Sequence, residues 1–401
     1  MCSQIANDSG ESVQRHAAWL LTGDEKYGVG GPVLSLARQL RTKGWQTHFF
    51  LITGGALADE CRDRRFRTTI FDEAAPRLDQ RSRMHSLPRY FLQQRQFIRR
   101  IAERLAEGLH ECKAEHLGMR WPFHVAVAGK AAQLAGVPSY WMMPNIVSGR
   151  WPFALDRRWY RHLCRRYQIT PLANSRYTAA TLGPNVGTQV LYLASDENRF
   201  NPDTVQSCSR SDLSIPDQAI VFGIFARLDF DKGQLLLWRA IVKQIQEGRD
   251  IHLLVIGGPD DGPTALAMRQ LASSTGTTDR LHLIGWTSEP ERYYTAVDVA
   301  VNARISPEPF GLSVIEAMLM GKPVLVHALG GPAETVINGV TGWHVPDANL
   351  ECFRHAIERA IEERARWRAM GYAALQHARG EFSVARFTDN YLRIIAQNNT
   401  K

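Results

Sequence analysis

Short apolar runs alternate with longer amphipathic stretches along the whole chain. In the first half we predict strands at "HAAWLL", "THFFLI", "TTIF", "HVAVAG", "PSYWMM" and "ITPLAN". Between them, segments such as "GPVLSLARQLRTKG" and "YFLQQRQFIRRIAERLAEGL" carry apolar residues at helical spacing. Strands that alternate with helices in this way are typical of βαβ units, in which the strands run parallel. The first half is therefore predicted to be a parallel sheet covered by helices.

The alternation begins again after the polar interval "NRFNPDTVQSCSRSDLSIPDQ", which has no long apolar face and is predicted to link two domains. Beyond it we predict strands at "AIVFGIFARL", "IHLLVIGG", "LHLIGW", "VDVAVNA" and "KPVLVHA", and a last helix around "VARFTDNYLRIIAQ". The fold class is thus α/β, with two Rossmann-like doubly wound domains facing a cleft. We place them at residues 1–200 and 201–378, and expect the helix in 379–401 to pack back on the N-terminal domain. Such sheets bind ligands at the carboxyl ends of their strands.

The composition is that of a globular protein. The chain has 401 residues, 44% hydrophobic and 22% charged, and is long enough for more than one core. Its six cysteines are scattered without a CxxC pair, which indicates neither a zinc site nor a disulfide scaffold and favours a reducing cytosol. The N-terminal segment has no apolar core, so we expect no signal peptide. No apolar run approaches the roughly 20 residues that span a bilayer. We expect a cytoplasmic protein, soluble or peripheral on the inner face of the membrane.

The formal net charge is +8, which suits nucleic acid, a membrane surface or an anionic substrate as partner. No helix-turn-helix, zinc finger or RNA-stacking motif is present in the sequence, so we expect no nucleic-acid partner. The segment "RWPFALDRRWYRHLCRRY", from Arg150 to Tyr167, interleaves aromatic and basic residues. Such a surface suits an anionic membrane. The alternative is a solvated helix that packs its aromatic side chains inward.

Two carboxylates flank a turn in "SPEPFGLSVIEAMLMGKPVL". The prolines and the glycine of "SPEPFG" predict a loop, and the apolar run after them predicts a buried helix. Glu308 lies in the loop and Glu316 in the helix. Glu316 together with Ser313 fits a capping box, in which the carboxylate only caps its own helix. In the other interpretation the helix N-terminus binds a diphosphate, and both carboxylates accept hydrogen bonds from sugar hydroxyls, which indicates a nucleotide-sugar.

Cations for such a ligand are offered by "FGIFARLDFDKG", just past the end of a predicted strand. Arg227 can hold phosphate oxygens through two parallel hydrogen bonds, whereas Lys232 acts as a point charge. An exposed loop often carries both residue types for solubility alone, and that alternative stays open.

Together these segments resemble the retaining glycosyltransferases of family 4, which have the GT-B fold. "PEPFGLSVIEAMLMGKPVL", with its E-x₇-E spacing, and the following "GGPAETVINGVTGWHVP" are similar to the signature of that family. "ARLDFDKG" resembles its phosphate loop, and "YGVGGPVLSLARQLRTKGWQTHFF" resembles its N-terminal glycine loop and first helix. "LANSRYTAATL" and "SDENRFNP" occupy the expected places before the linker. The resemblance spans nearly the whole chain and is clearer in its C-terminal half.

The resemblance implies a role for each matching residue. Glu316 would bind the ribose hydroxyls of the donor nucleotide, and Glu308 would hold hydroxyls of the transferred sugar. Arg227 and Lys232 would neutralise the leaving diphosphate. Further donor-binding residues implied in this way are Phe310, Gly311, Leu312 and Ser313, and Gly30 and Gly31 in the N-terminal loop. Relatives retain the anomeric configuration and usually need no metal, so we expect no cofactor besides the nucleotide-sugar substrate.

The family often carries a histidine near the end of the fourth N-terminal strand, pointing at the sugar. His116 and His124 both fall in this region, and we name His124 among the catalytic candidates, although the sequence leaves the choice open. Asn145 in "MMPNI" stands where relatives place another polar group. "GGPAE", from Gly330 to Glu334, could line the donor pocket or form a simple turn before a helix.

The sequence therefore predicts a retaining glycosyltransferase that uses a UDP- or GDP-linked sugar in envelope polysaccharide or glycolipid assembly. Its partners would be the nucleotide-sugar donor and a carbohydrate, lipid-linked or small-molecule acceptor. The alternative within the enzyme class is a soluble natural-product acceptor. A sugar-nucleotide epimerase and a basic nucleic-acid-binding protein are further alternatives, which the E-x₇-E loop and the lack of a nucleic-acid motif disfavour.

Overall fold

The chain folds around two parallel β-sheets. The structure is a computed structural model and describes residues 14–24, 27–73, 75–76, 87–147, 149 and 152–399. The strands of the first sheet are β1 (Arg15–Leu21), β2 (Trp45–Leu51), β3 (Arg67–Ile70), β4 (His116–Met119), β5 (Ser139–Met143), β6 (Thr170–Ala173) and β7 (Gln189–Val190). Their helices are α1 (Tyr27–Thr42), α2 (Ala56–Asp63), α3 (Leu87–Glu111), α4 (Val125–Ala135), α5 (Leu155–Arg166) and α6 (Arg176–Leu182). The strand order is β3-β2-β1-β4-β5-β6-β7.

The second sheet repeats this design. Its strands are β8 (Ile220–Phe225), β9 (Ile251–Ile256), β10 (Leu281–Gly285), β11 (Val299–Asn302), β12 (Val324–His327) and β13 (Gly342–Val345), in the order β10-β9-β8-β11-β12-β13. The helices of this part are α7 (Gln234–Gln246), α8 (Pro263–Ser274), α9 (Pro290–Tyr294), α10 (Leu312–Leu319), α11 (Pro332–Thr335), α12 (Leu350–Glu362), α13 (Trp367–Glu381) and α14 (Val384–Asn399).

Both sheets are doubly wound. In the first sheet, β2 and β3 are added on one side of β1, and the strands from β4 onward are added on its other side. In the second sheet the direction reverses in the same way between β8 and β11. Neighbouring strands pair in parallel, as β1 does with β2 and with β4. A reversal of this kind opens a crevice at the carboxyl ends of the two central strands, where open α/β sheets bind their ligands. The prediction of two Rossmann-like domains is confirmed.

The strands form because their sequences suit a sheet that is covered on both faces. All six residues of β9, "IHLLVI", are buried, and near-continuous apolar runs are typical of parallel strands between two helical layers. The core of the second sheet joins Phe222 and Leu253 from the strands with Trp238 and Phe353 from the helices α7 and α12. This core rigidly supports the loops at the carboxyl ends of its strands.

One predicted strand is wrong. "HVAVAG" is not a strand, because its last five residues begin α4, which ends at Gly136 in a left-handed C-cap with φ of +68°. The fourth strand lies just before it, at "HLGM". The helix forms because the apolar positions of "VAVAGKAAQLA" continue at helical spacing and pack on α3. Two alternating valines were too short a pattern to distinguish a strand from a buried helix.

The contacts between residues divide the chain into two compact units. One comprises the described residues up to 142, residues 158–171 and the last residues from 398. The other comprises residues 143–157 and 172–397. The domain boundaries predicted from the sequence and the packing of the last helix stay predictions. Within the described ranges, no helix combines the length and the apolar character needed to cross a membrane.

Two histidines form a hydrogen-bonded pair at the amino ends of β9 and β10. His252 Nδ1 lies 2.8 Å from His282 Nε2, and the rings stack with centroids 5.1 Å apart. Arg280 lies 3.0 Å from His252 Nε2, so that nitrogen must be the acceptor and Nδ1–H the donor to His282. Burial and the neighbouring His252 lower the pKa of His282 to about 4, with Asp279 opposing. Both rings are therefore neutral at neutral pH.

This pair makes the folded state sensitive to acid. Because the pKa of His282 falls from 6.5 to about 4 on folding, its contribution to stability is present above pH 6.5 and is lost as the pH falls towards 4. We expect the drop in the free energy of unfolding between about pH 7 and about pH 5 to be smaller in His282→Gln by about 1 to 2 kcal/mol. Urea unfolding at both pH values measures this drop. The control is His355→Gln, which replaces an exposed histidine and should follow wild type. If the free energy of unfolding fell equally in wild type and in His282→Gln, the lowered pKa of His282 would not be the cause of the acid sensitivity.

Candidate active site

The backbone of Glu308 is bonded to the turn that follows β12. Its N–H donates to the carbonyl of Leu329 at 3.1 Å, and its own carbonyl accepts from the N–H of Gly331 at 2.7 Å. Gly330 completes this short parallel bridge with φ of +95°, and a Cβ there would lie 2.1 Å from the Glu308 carbonyl oxygen. Only glycine tolerates both the conformation and the approach. The loop that carries Glu308 is thereby fixed in place.

The carboxylate of Glu308 lies between two cations. Lys232 Nζ is 2.8 Å from Oε2, and Arg304 Nη1 is 3.0 Å from Oε1. Lys232 ends the turn after β8, and Arg304 follows β11, so both come from the carboxyl ends of central strands. The predicted pair Glu308 and Lys232 is thus brought together. Arg304 was not predicted, although its place directly after the apolar run "VAVN" was a signal for it.

Asp231 completes this cluster. Its carboxylate accepts from Arg304 Nε at 2.9 Å and from the Ser306 hydroxyl at 2.8 Å. Burial alone would raise the pKa of Asp231, but the hydrogen bonds from Ser306 and Arg304 outweigh it and lower the pKa. Two carboxylates therefore balance the charges of Arg304 and Lys232, and the cluster itself carries little net charge.

Arg227 is a cation without such a counter-charge. Its side chain is exposed, and within the part of the chain that the structure describes no ion pair engages its guanidinium. Its carbonyl accepts a 2.7 Å hydrogen bond from Gln234 Nε2, which ties the loop to the start of α7. Gly233 makes this tight entry possible, because a Cβ there would lie 2.0 Å from the carbonyl oxygen of Ala303. The loop is thus ordered while the guanidinium stays available to an anion.

The N-terminus of α10 is not capped by a side chain. The helix begins at Leu312, and its N-cap is Gly311 in a left-handed conformation with φ of +86°. Ser313 is therefore the second residue of the helix and Glu316 the fifth, so the capping-box interpretation is wrong. The first amides of the helix carry the positive end of its dipole, a setting that favours an anion. Phe310 is buried beside this turn.

Glu316 lies in a different environment from Glu308. The Tyr294 hydroxyl lies 3.1 Å from the Ser313 carbonyl and also bonds to the Glu316 carboxyl group, and Arg199 pairs with Glu291 at 2.8 Å close by. Burial raises the pKa of Glu316 to about 7, and Glu291 adds to this, whereas Arg199 and Tyr294 oppose it. Tyr294 and Glu291 were not predicted, because no motif marks their segment, whereas Arg199 lies in the segment "SDENRFNP" of the family resemblance.

The two candidate histidines occupy different ends of β4. His116 begins the strand and packs edge-on against Trp45 and Tyr140, with ring centroids 5.5 and 5.8 Å away. His124 follows the strand and is the N-cap of α4. Burial lowers the pKa of His124 to about 3, so its ring is neutral at neutral pH. Position at the carboxyl end favours His124 over His116 as the ligand-facing residue.

The remaining candidates have mixed outcomes. Gly30 and Gly31 lie inside α1 and not in a loop, because the helix already begins at Tyr27. Asn145 is exposed in a bend after β5.

Glu334 of "GGPAE" accepts hydrogen bonds at 2.8 to 2.9 Å from three donors, which are the backbone N–H groups of Arg176 and Tyr177 and the hydroxyl of Tyr192. Glu334 thus holds the start of α6, a structural role.

Part of the chain matches a known protein family. Residues 206–377 match the family model of glycosyl transferases group 1. The D-inositol 3-phosphate glycosyltransferase of Kribbella flavida is 30% identical over 185 residues, 44% of this chain and 43% of that protein. The 2-deoxystreptamine glucosyltransferase of Streptomyces kanamyceticus is 29% identical over 269 residues, 58% of this chain and 66% of that protein. The crystal structure of Anabaena HepE in complex with UDP and glucose has 20% identity and a TM-score of 0.74, covering 96% of this chain and 99% of that chain.

Residues 206–377 therefore resemble the group 1 glycosyltransferases, and this match lies in the C-terminal half of the chain. This confirms the resemblance to the family 4 enzymes, and the likeness to HepE confirms the GT-B class of fold. The chain spans about half the length of the curated relatives that it matches first.

The raised pKa of Glu316 has a measurable consequence. Folding raises this pKa from 4.5 to about 7, so the folded protein keeps a proton that the unfolded chain releases, and stability falls as the pH rises through this range. We expect Glu316→Gln, which cannot ionise, to be more stable than wild type at about pH 8 by up to about 3 kcal/mol, and to lose this advantage near pH 4.

Thermal and urea unfolding at both pH values measure this difference. Exposed Glu289→Gln is the matched control, because it removes a solvated carboxylate and should follow wild type. A Glu316→Gln variant whose stability changed with pH in step with wild type would show that Glu316 is ionised at no cost in the folded state.

Proposed function

We propose that the protein is a retaining glycosyltransferase that moves a sugar from a nucleotide-diphosphate sugar to an acceptor hydroxyl. The observation that carries the proposal is the position of Glu308, fixed between Lys232 and Arg304 at the carboxyl ends of β8 and β11. Arg227, without a counter-charge, and the uncapped start of α10 supply two positive features at the same edge of the second sheet. A diphosphate with a sugar on one side and a nucleoside on the other matches this set.

The transfer breaks the bond between the sugar and the diphosphate oxygen, and negative charge develops on that oxygen. Arg227 and Lys232 stabilise this charge, which is the main electrostatic demand of the transition state. Lys232 then gives up its hydrogen bond to Glu308 and donates to a phosphate oxygen instead. Arg304 keeps Glu308 aligned with the sugar hydroxyls. The acceptor hydroxyl attacks on the face that the diphosphate leaves, and its proton passes to the departing phosphate oxygen. His124, neutral at the end of β4, is proposed as a hydrogen-bonding partner of the sugar.

We propose a UDP- or GDP-linked donor and no metal cofactor. Support for UDP comes from HepE, whose crystal structure contains UDP and glucose, although that protein shares only the fold at this identity. Arginine and lysine can meet the diphosphate charge that a divalent cation meets in other transferases. Glu316 would accept hydrogen bonds from the ribose, and binding would then favour its ionised form.

The acceptor is proposed to bear a phosphate or to be held at a membrane, as in glycolipid or envelope polysaccharide assembly. The relative from Kribbella flavida is named for an inositol phosphate, which agrees with a phosphate-bearing acceptor. The relative from Streptomyces kanamyceticus is named for an aminocyclitol, and a soluble small-molecule acceptor remains the second candidate.

The exposed face of α5 supports peripheral membrane binding. Leu155 is 46% and Trp159 52% exposed, and exposed Arg158, His162 and Arg166 lie on the same face at helical spacing. Phe153, just before the helix, is 84% exposed. Tyr160 packs inward, with its ring centroid 5.3 Å from that of Trp141, and Leu163 and Cys164 are buried. Arginines beside exposed aromatic rings match a bilayer of anionic lipids.

The membrane proposal is tested by sedimentation with vesicles of phosphatidylglycerol and phosphatidylcholine. Each basic residue near an anionic surface contributes about 1 kcal/mol, so Arg158→Ser with Arg166→Ser should weaken binding at least about tenfold. Arg239→Ser with Arg368→Ser removes the same charge from exposed positions on α7 and α13 and should have little effect. Equal losses in both double variants would assign the binding to net charge and would remove α5 as the contact surface.

The assignment of the two carboxylates is tested by calorimetric titration of UDP and GDP together with turnover of the matching sugar donors. Glu316→Ala should weaken nucleotide binding about tenfold or more, because it removes hydrogen bonds from the ribose to a charged group. Glu308→Gln should leave the nucleotide Kd within about threefold and lower kcat about a hundredfold. Glu289→Ala is the control and should change neither. Similar nucleotide losses in the Glu308 and Glu316 variants would contradict the division of roles.

A further inference from the structure

A basic cavity lies at the amino ends of β1, β2 and β3, the edge of the first sheet opposite to its ligand-binding edge. It has a volume of about 270 Å³, and its wall includes Arg41, Arg65, Arg67, Trp45, Phe66 and Thr47. Trp45 and Phe66 are buried and form the apolar part of the wall. The size is just below the roughly 300 Å³ at which small-molecule sites begin, so it suits a compact ligand.

Among the residues that the structure describes, no acidic side chain lines this cavity. Three carboxylates of neighbouring segments are engaged by other arginines, in the ion pairs Arg62–Asp59, Arg64–Glu60 and Arg15–Glu115. Among the described residues, Arg41, Arg65 and Arg67 form no ion pair with a carboxylate. Three arginines line one small space, and a bound anion would balance their positive charge.

Arg41 is held rigidly at the wall of the cavity. Its guanidinium stacks on Phe66 at 4.2 Å from the ring centroid and donates to the carbonyl of Arg64 at 3.2 Å. These contacts satisfy carbonyl groups at the C-terminus of α2, the negative end of that helix. The charge of Arg41 thus offsets the helix dipole, and Arg65 and Arg67 supply the net positive charge.

Arg65 occupies a position where glycine is the usual residue. The N–H of Arg65 bonds to the Arg62 carbonyl at 2.8 Å, and the N–H of Phe66 bonds to the Cys61 carbonyl at 2.9 Å. This pair of bonds closes α2 in a Schellman motif, with Arg65 in the left-handed conformation at φ of +57°. A residue with a side chain costs about 1 kcal/mol there. The chain tolerates this cost and gains an arginine at the cavity wall.

Thr47 provides an independent indication of a ligand. Its side chain is 6% exposed, and its hydroxyl has no hydrogen-bond partner within the described ranges. The buried side-chain oxygen of the neighbouring Gln46, which also lines the cavity, is likewise unpartnered. Buried polar groups are nearly always paired, and one left unpaired costs about 1 to 3 kcal/mol. A ligand oxygen in the cavity would accept the hydrogen bond that the Thr47 hydroxyl offers.

We propose that this cavity is a binding site for a phosphate monoester. Guanidinium groups hold phosphate oxygens through paired hydrogen bonds, and a hydroxyl donor beside them completes the set. The phosphate can belong to a free metabolite or to a lipid headgroup. The inference does not depend on transferase activity, because the cavity lies at the amino ends of the strands.

The test is a calorimetric titration with glycerol 3-phosphate, with glycerol as the uncharged control, on four proteins. Arg65→Gln with Arg67→Gln should weaken binding about tenfold or more, because both arginines line the cavity and supply its net positive charge. Arg62→Gln with Arg64→Gln removes the same charge from neighbouring ion-paired positions and should change the affinity less than about threefold. Arg227→Gln reports on phosphate bound at the donor site and should leave this affinity unchanged.

Three results would overturn the proposal. These are no binding to wild type, equal losses in the two double variants, and a loss confined to Arg227→Gln. Sedimentation with phosphatidic acid vesicles, compared with phosphatidylserine vesicles, distinguishes the source of the phosphate. Binding selective for phosphatidic acid and lost in Arg65→Gln with Arg67→Gln supports a lipid headgroup, whereas binding of glycerol 3-phosphate without selective sedimentation supports a free ligand.

Thr47→Val distinguishes the loss of a ligand contact from a loss of folding stability. Valine has the same shape, and removing an unpartnered hydroxyl should leave the melting temperature unchanged or raise it. The affinity for glycerol 3-phosphate should nevertheless fall about threefold to tenfold. A variant that kept full affinity would show that the hydroxyl does not face the ligand and would remove this support for the site.

Discussion

The backbone bridge between Glu308 and the turn at Gly330 is the constraint on which the second domain's site depends. It fixes a loop that two prolines already keep out of regular structure, and it sets the direction of the Glu308 side chain. Lys232 and Arg304 then meet the two carboxylate oxygens from two different strand ends. A Cβ at residue 330 would collide with a carbonyl oxygen, so a single substitution there would displace the loop and the cations together.

The electrostatics of the site divide the two carboxylates between different tasks. Glu308 and Asp231 balance the charges of Lys232 and Arg304, whereas Arg227 has no carboxylate partner within the described part of the chain. Glu316 is half-buried beside Tyr294 with its pKa raised to about 7, so this part of the site carries less negative charge than the sequence suggests. A site built in this way does not repel a diphosphate, and it keeps a strong acceptor ready for a hydroxyl-bearing ligand.

Basic residues are not spread evenly over the chain but serve three separate settings. Arg227 lies at the ligand-binding edge of the second sheet, the arginines of α5 lie on one exposed helix face, and Arg65 and Arg67 line a cavity at the amino edge of the first sheet. The net charge of +8 alone could not separate these settings. What distinguishes them is the neighbouring chemistry, which is respectively a strand-end loop, exposed aromatic rings and an unpartnered hydroxyl.

The sequence by itself determined the alternation of strands and helices, because apolar runs of parallel strands and amphipathic helices leave strong local patterns. It also determined the E-x₇-E loop and the arginine–lysine loop, since prolines, glycines and charged residues lie close together there. It misplaced β4, where "HVAVAG" was too short a pattern, and it put Gly30 and Gly31 in a loop that is the start of α1.

Only the tertiary structure decided which charges meet. Asp231 and Arg304 are 73 residues apart, and Arg199 and Glu291 are 92 residues apart, so no spacing rule could pair them. The same holds for the helix start at Gly311, which excluded the capping box, and for the cavity that β2, β3 and α1 enclose together. Long-range contacts depend on the order of strands in the sheet, and that order is set by the packing of the whole domain.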